Sequence, residues 1–390
     1  MMKIAGIIAE YNPFHSGHAY HIAETKRRSG AEGVICVMSG PFVQRGEPAL
    51  LDKYVRAEQA VRGGADLVLE LPPEYATASA EGFARGGIAL LSACGCVNCL
   101  SFGAETDDLA GLSEAARCLA EDEALTLAAK EYMKEGASYA KAFGRAMEER
   151  DPALAELIRQ PNNMLAVEYL KALRAQQSGQ ISPLVVKRCG AAYHDIKTPA
   201  GGEDHPSAAA IRKAVLSADR NSLPETMKAA LSPEAMMPLL MAKLRTLRYT
   251  GADLTAYEDV SPDLAARILA AVPYTESWEA FCGRIVTRNL TFARVRRALT
   301  HILLEIRDGS SHLAPSYLKV LALLEGSPAV SAIAQNAALP RITKAADDRQ
   351  DLAASSRFAQ DLYRQMVFAR CGIALPDDYR KSPVILREDG

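Results

Sequence analysis

"IIAEYNPFHSGHAYHIAETKRR", residues 7–28, passes from an apolar segment directly into three of the chain's seven histidines, His15, His18 and His21. Ile4 to Ala9 read as a buried strand and His18 to Arg28 as a helix, with Gly17 at the turn between them. A strand, a glycine turn and a helix in immediate succession form the first half of a parallel βαβ unit, and such units bind ligands outside the carboxyl end of the strand. There Gly17 would let the backbone approach a phosphate closely, and the helix would offer N–H groups and the positive end of its dipole.

The same alternation continues outward. Apolar, β-branched runs recur at Val34 to Met38, Leu67 to Leu71, Val97 to Phe102 and, later, "PLVVKR" at Pro183 to Arg188. Helical patterns at Lys53 to Arg62 and Ala80 to Ala93 separate them, each closing near a glycine (Gly63, Gly95), as the first helix does at Gly30. This predicts an α/β fold with a Rossmann-like parallel sheet and right-handed crossovers over residues 1–220. The helical stretch at about 107–180 reads as an insertion, and "HPSAAAIRKAVLSA" closes the region with Ser207 as a helix N-cap. From 221 to 390 the periodicities are helical without a clear alternating strand, which predicts a mostly α-helical second domain. The last ten residues, "KSPVILREDG", are expected to be poorly ordered.

With 390 residues and 49% hydrophobic content, the chain can bury a sizeable core. No apolar run reaches the roughly 20 residues of a membrane span, so a cytoplasmic protein is expected. Eight cysteines are too few for a disulfide scaffold at this length. "CGCVNC", with Cys94, Cys96 and Cys99, resembles half a metal site, but no second CxxC or HxxxH pair completes it, which favours packed thiols. The net charge of -2 carries no global nucleic-acid signature, so an RNA contact would have to be local.

"HSGH" has the His-x-x-His spacing, with a glycine before the second histidine, and resembles the signature of the nucleotidyltransferase superfamily shared with class I aminoacyl-tRNA synthetases. His15 and His18 would then stabilise charge on departing pyrophosphate. His21, one turn on, reads equally as a helix surface residue or a ligand contact. "SAAAIR", Ser207 to Arg212, resembles the superfamily's second phosphate-gripping segment, with hydroxyl donation resting on Ser207 alone.

"AEYNPFHSGHAYHI", "MSGPFVQRGEPALLDKYVRAE", "GADLVLELP", "LSFGAE", "PNNMLAVEYLKAL" and "RCGAAYHD" together resemble the bacterial tRNA(Met) cytidine acetate ligase family, densely to about residue 215 and more loosely through "RNLTFARVRRALTHILL" and "LPRITKAAD". The resemblance implies an enzyme that makes acetyl-adenylate from acetate and ATP, aided by Mg²⁺, and acetylates N4 of the wobble cytidine of elongator tRNA(Met). It implies ATP contacts from Ile8, Ala9, Glu10, Tyr11, Asn12, Pro13, Phe14, His15, Ser16, Gly17, His18, Ala19, Tyr20 and His21, and from Gly103, Asn162 and Arg188. Gly103 would leave room for a purine or ribose, Asn162 (or Asn163 beside it) would both donate and accept, and Arg188 would pair with a phosphate. Pro41 stands where the family has Asn. No metal site, DNA or membrane is implied.

The loop Gln44-Arg45-Gly46-Glu47 falls at the same sheet edge as the histidines and suits either RNA contact or shielding of an adenylate from water. Between Arg284 and Arg297 stand five arginines (Arg284, Arg288, Arg294, Arg296, Arg297) and no acidic residue, with Phe292 among them. That composition suits phosphate neutralisation and base stacking, although Val295, Leu299 and Ile302 also fit an ordinary helix with a cationic face. His194 and Asp195 could form an acid/base pair. A small-molecule adenylyltransferase would explain the HSGH turn but not the arginine run, and a non-catalytic RNA- or nucleotide-binding protein would need neither histidine for turnover.

Overall fold

The predicted strands appear as β1 (Ile4–Ala9), β2 (Gly33–Ser39), β5 (Leu67–Leu71), β6 (Val97–Ala104) and β7 (Ser182–Lys187), with a small hairpin, β3 (Phe42–Val43) and β4 (Glu47–Pro48), inserted after β2. In the computed structural model, which describes residues 2–134, 139–176, 181–188, 207–274, 277–344, 346 and 348–387, the five long strands pair in parallel in the order β5-β2-β1-β6-β7. β1, β2 and β5 are almost wholly buried, which is why they read as continuous apolar runs and not as alternating ones. The helices α1 (Ser16–Ser29) and α2 (Lys53–Arg62) follow β1 and the hairpin, and α3 (Pro73–Ala76) and α4 (Ala80–Ala93) follow β5.

α1 and α2 share one core with Ala5, Ile7, Cys36 and Val68 of the sheet, while α4 packs against the other face through Phe83, Ile88 and Leu91. The helices α5 (Leu109–Glu121), α6 (Glu123–Lys134), α7 (Tyr139–Arg150), α8 (Pro152–Arg159) and α9 (Pro161–Ala175) extend that second core, with Ala166, Val167 and Tyr169 of α9 lying against β6.

Beyond residue 207 come α10 (Ala208–Ser217), α11 (Met237–Thr250), α12 (Pro262–Ala271), α13 (Trp278–Ile285) and α14 (Phe292–Leu304). This part of the chain is mostly helical, as expected, but it also returns three strands to the sheet that the sequence reading does not contain. β8 (Leu318–Leu324) runs antiparallel to β5, β9 (Arg341–Ile342) pairs with β8 after α15 (Pro328–Asn336), and β10 (Val384–Leu386), after α16 (Ala354–Cys371), forms the sheet edge. "LKVLALL" is apolar throughout, and a short run of that kind carries no period that separates strand from helix. The terminal segment is likewise ordered enough to pair, with Val384 opposite Ala322. A buried quartet anchors this return: Lys53 lies 3.0 Å from Glu70 and 3.3 Å from Asp378, and Lys319 contacts both carboxylates. Two cations and two anions balance, as burial requires. Against the upward push of burial, Lys53 and Lys319 hold the Asp378 carboxyl at about 2.

Candidate active site

The order β2-β1-β6 marks the point where the chain reverses its direction of sheet growth, and a cavity of about 290 Å³ opens there at the carboxyl ends of β1 and β6. Among the described residues its lining draws on β1 and the following turn, the hairpin tip, α4, β6, α9, the end of β7 and the start of α10.

His15 is the N-cap of α1, and the two histidines build a reciprocal cap. Gly17 N–H donates to His15 Nδ1 at 3.1 Å and His15 N–H to His18 Nδ1 at 3.3 Å, while the rings stack at 3.8 Å. With Nδ1 accepting, each neutral ring carries its proton on Nε2. Burial, then His15, His21 and Arg188, hold the His18 pKa well below its usual value, so this ring stays neutral. Tyr11 and Phe14 pack on the His18 ring at 4.8 and 5.5 Å. The expected role of Gly17 changes accordingly: its N–H is spent on His15, and it does not line the cavity.

His21 is not a surface residue. Its Nε2 meets Ser101 Oγ at 3.0 Å, and Ser101 meets Thr25 Oγ1 at 2.7 Å, whose hydroxyl donates to His21 O. That chain leaves Ser101 Oγ to accept from His21 Nε2–H. Burial and Arg188 lower its pKa to about 4. Of the remaining residues in the expected ATP stretch, Ile8, Ala9, Glu10, Tyr11 and Asn12 line the cavity, while Pro13, Phe14, Ser16, Ala19 and Tyr20 do not.

On the β6 side, Gly103, Asn162 and Arg188 all reach the cavity. A methyl group on Gly103 would meet nothing closer than Arg188 Cγ at 3.5 Å, so the protein itself does not demand glycine there. The choice between the two asparagines is decided by packing. Asn163 is buried and its amide is consumed, accepting from Glu105 N–H at 2.9 Å and donating to Leu157 O at 2.9 Å; Asn162, which lines the cavity, donates through Nδ2 to Glu105 Oε1 at 2.5 Å. Ser207 Oγ accepts from Ala210 N–H at the start of α10, and the residue lines the cavity. His194 and Asp195 lie outside the described residues.

The hairpin brings residues that the sequence placed only loosely. Gln44 and Arg45 line the cavity, Gln44 N–H donates to Glu10 Oε1 at 3.0 Å, and Arg212 Nη1 donates to Asn12 O at 2.7 Å. Burial raises the Glu10 pKa, with Arg45 opposing it. Fully buried Arg56, which lies within the family-like stretch 38–58 but has no role in the sequence reading, ties three loops together by donating to Leu51 O (2.9 Å), Glu10 O (2.8 Å), Ser39 O (3.0 Å) and Gly40 O. Gly46, at φ 69°, rests so closely on α14 that a Cβ would fall 2.4 Å from the Arg296 carbonyl carbon and the Arg297 nitrogen.

The hairpin whose Gln44 and Arg45 line the cavity therefore rests on α14, but the arginine run does not present one face. Arg284 and Arg288 are exposed beside Phe292, which is 42% exposed, and Arg284 stacks on Tyr274 at 4.2 Å. Arg297 turns inward to Asp259 at 3.0 Å, and Arg296 lies 3.9 Å from Glu47. Burial pushes the thiols of Cys94 and Cys99 up, and that of Cys96 to about 11, so they remain protonated. Among the described residues no group of three or more His, Cys, Asp or Glu could hold a metal, and no helix is long and apolar enough to cross a membrane.

A family model described as HIGH Nucleotidyl Transferase matches residues 2–373. The chain is 35% identical to the tRNA(Met) cytidine acetate ligase of Lysinibacillus sphaericus, over 98% of this chain and 100% of that protein. It is also 35% identical to the protein of that name from Caldanaerobacter subterraneus, over 94% and 95% respectively. Among solved structures, Thermotoga maritima TmcAL in its apo form superposes with a TM-score of 0.87 at 29% identity, covering 99% of this chain and 100% of that one. The same protein bound with alpha-thio ATP gives 0.85 at 28% identity, with the same coverage.

Proposed function

Because the chain belongs to the HIGH nucleotidyl transferase family, and within it to the tRNA(Met) cytidine acetate ligases, we propose that this ATP-dependent ligase works through acetyl-adenylate. A carboxylate oxygen of acetate attacks the α-phosphorus of ATP, the bond to the bridging oxygen breaks, and pyrophosphate leaves. N4 of the wobble cytidine of elongator tRNA(Met) then attacks the acetyl carbonyl carbon; the bond to AMP breaks, N4 loses a proton, and AMP leaves.

The observation that carries this reading is the His15–His18 pair, capped onto α1 at the mouth of the cavity with neutral Nε2–H donors. Negative charge grows on the leaving pyrophosphate, and preorganised donors act there without reorganisation. Gly103 and Asn162 would take the nucleoside, Arg188 a phosphate from the β7 side, and Ser207 the phosphates from the α10 side. Mg²⁺ brought in with the triphosphate would supply further charge neutralisation. Binding of the tRNA falls to the chain beyond residue 220, with exposed Arg284 and Arg288 as phosphate contacts, and the enzyme works in the cytoplasm with its RNA. The alternative of a small-molecule adenylyltransferase leaves those exposed arginines without a task.

The test is incorporation of labelled acetate into unmodified elongator tRNA(Met), with and without ATP, against a transcript lacking the wobble cytidine. Incorporation that requires both ATP and that cytidine supports the reading; tight ATP binding without incorporation refutes it.

A further inference from the structure

The strand order sets the loops after β2 and after β6 on opposite flanks of the β1 turn. Gly103, Asn162 and Arg188 all belong to the β6 flank. The opposite flank is equally built. Gln44 N–H holds Glu10 Oε1, Arg212 Nη1 holds Asn12 O, and Arg45 stands close enough to Glu10 to oppose its protonation.

Two donors on this flank have no hydrogen-bond partner among the described residues, Asn12 Nδ2 and Gln44 Nε2, and both residues line the cavity. Asn12 is only 3% exposed, and its orientation is not ambiguous: Leu50 N–H, 2.7 Å away, can only donate, so the atom facing it is Oδ1 and the NH₂ group is the orphan. A buried donor without an acceptor is costly, and in a native cavity it marks a place that a ligand completes.

The chemistry of that ligand follows from what the site must bring together. The reaction sets one anion, a carboxylate, against another, the triphosphate, and the histidines and Ser207 already address the phosphates. Two primary amides and the Arg45 guanidinium match the two oxygens of a carboxylate and supply its countercharge, which leaves Arg212 to offset Glu10. We propose that Asn12 Nδ2 and Gln44 Nε2, together with the Arg45 guanidinium, form the receptor for the carboxylate of a short acyl donor. This assignment rests on the ligase reading above and divides the Ile8–His21 stretch between two substrates. The hairpin tip is seated through Gly46 on the α14 backbone, so the receptor is braced from the arginine-bearing side.

The test uses two readouts on the full chain: the KM for acetate in acetate-dependent ATP/pyrophosphate exchange, and the Kd for ATP by equilibrium dialysis. Gln44→Met keeps the side-chain length and removes the donor. It should raise the KM for acetate about 10- to 100-fold, the worth of a hydrogen bond to a charged group, with the ATP Kd changed by less than about threefold. Asn12→Asp keeps the acceptor for Leu50 N–H and replaces the donor, and should raise the KM for acetate in the same way with the melting transition retained. An unchanged KM in Gln44→Met, or an equal loss of ATP affinity, overturns the receptor while leaving the ligase standing. Wild-type protein that binds ATP but shows no acetate-dependent exchange overturns the ligase reading, and the receptor with it.

Discussion

Gly103→Ala separates what the fold needs from what the ligand needs. The added methyl would sit 3.5 Å from Arg188 Cγ, 3.9 Å from Arg188 Cδ and 4.0 Å from Val186 O, all ordinary van der Waals distances. Glycine inside a strand costs about 0.5–1 kcal/mol relative to alanine, so the variant should melt at or slightly above the wild-type temperature. The same methyl projects into a cavity of about 290 Å³ whose remaining walls are protein. Forcing a methyl into a fitted contact costs about 1–3 kcal/mol, which converts to a loss of roughly 5- to 150-fold in ATP affinity. Equilibrium dialysis with ATP and a thermal melt on the same preparation measure both halves. A variant that melts markedly lower would mean that the strand itself requires the glycine. Unchanged affinity with unchanged stability would mean that ATP does not approach this wall, and the assignment of the β6 flank to the nucleoside would be lost.

His18→Ala removes one of the two Nε2–H donors and half of the cap, so adenylation should slow about 100- to 1,000-fold while stability drops by about 1 kcal/mol, seen in pyrophosphate exchange and denaturant unfolding respectively. The depressed His21 pKa has a definite sign: the folded form binds its proton less readily than the unfolded chain, so the contribution is complete above pH 6.5 and is lost as pH falls from 6.5 toward about 4. A His21→Asn variant, followed by chemical denaturation, should therefore show a flatter pH dependence over that window than the wild type does. Arg284→Ala and Arg288→Ala should each weaken tRNA binding and reduce the salt slope by about 1, with ATP/pyrophosphate exchange intact. Arg297→Ala should instead lower the melting temperature by leaving Asp259 half-buried without its cation, and a pure RNA-binding defect in that variant would contradict its inward orientation.

The five parallel strands and their helices were legible because each is a local statement. Ile4–Ala9 and Leu67–Leu71 are apolar throughout because both sheet faces are covered, and glycines close the helices between them. The HSGH turn was legible for the same reason, since an N-cap and its partner three residues later are neighbours in the chain. The apolar run Leu318–Leu324 was not, because its strand character comes from pairing with β5, as where Leu67 meets Leu323 across more than half the chain. Nor does composition tell which arginines face solvent: Arg284 and Arg297 look alike in sequence, and only the placement of Asp259 turns one of them inward.

The sequence by itself thus determined the five parallel strands, the histidine turn and the region of chain that surrounds the ligand. Tertiary structure alone decided the direction in which each polar group points. It chose Asn162 over Asn163 for the cavity, withdrew the Gly17 N–H from it, and left Asn12 Nδ2 and Gln44 Nε2 without acceptors among the described residues. Hydrogen-bond satisfaction is a long-range property, because the partner that consumes a donor belongs to whichever distant segment folds against it.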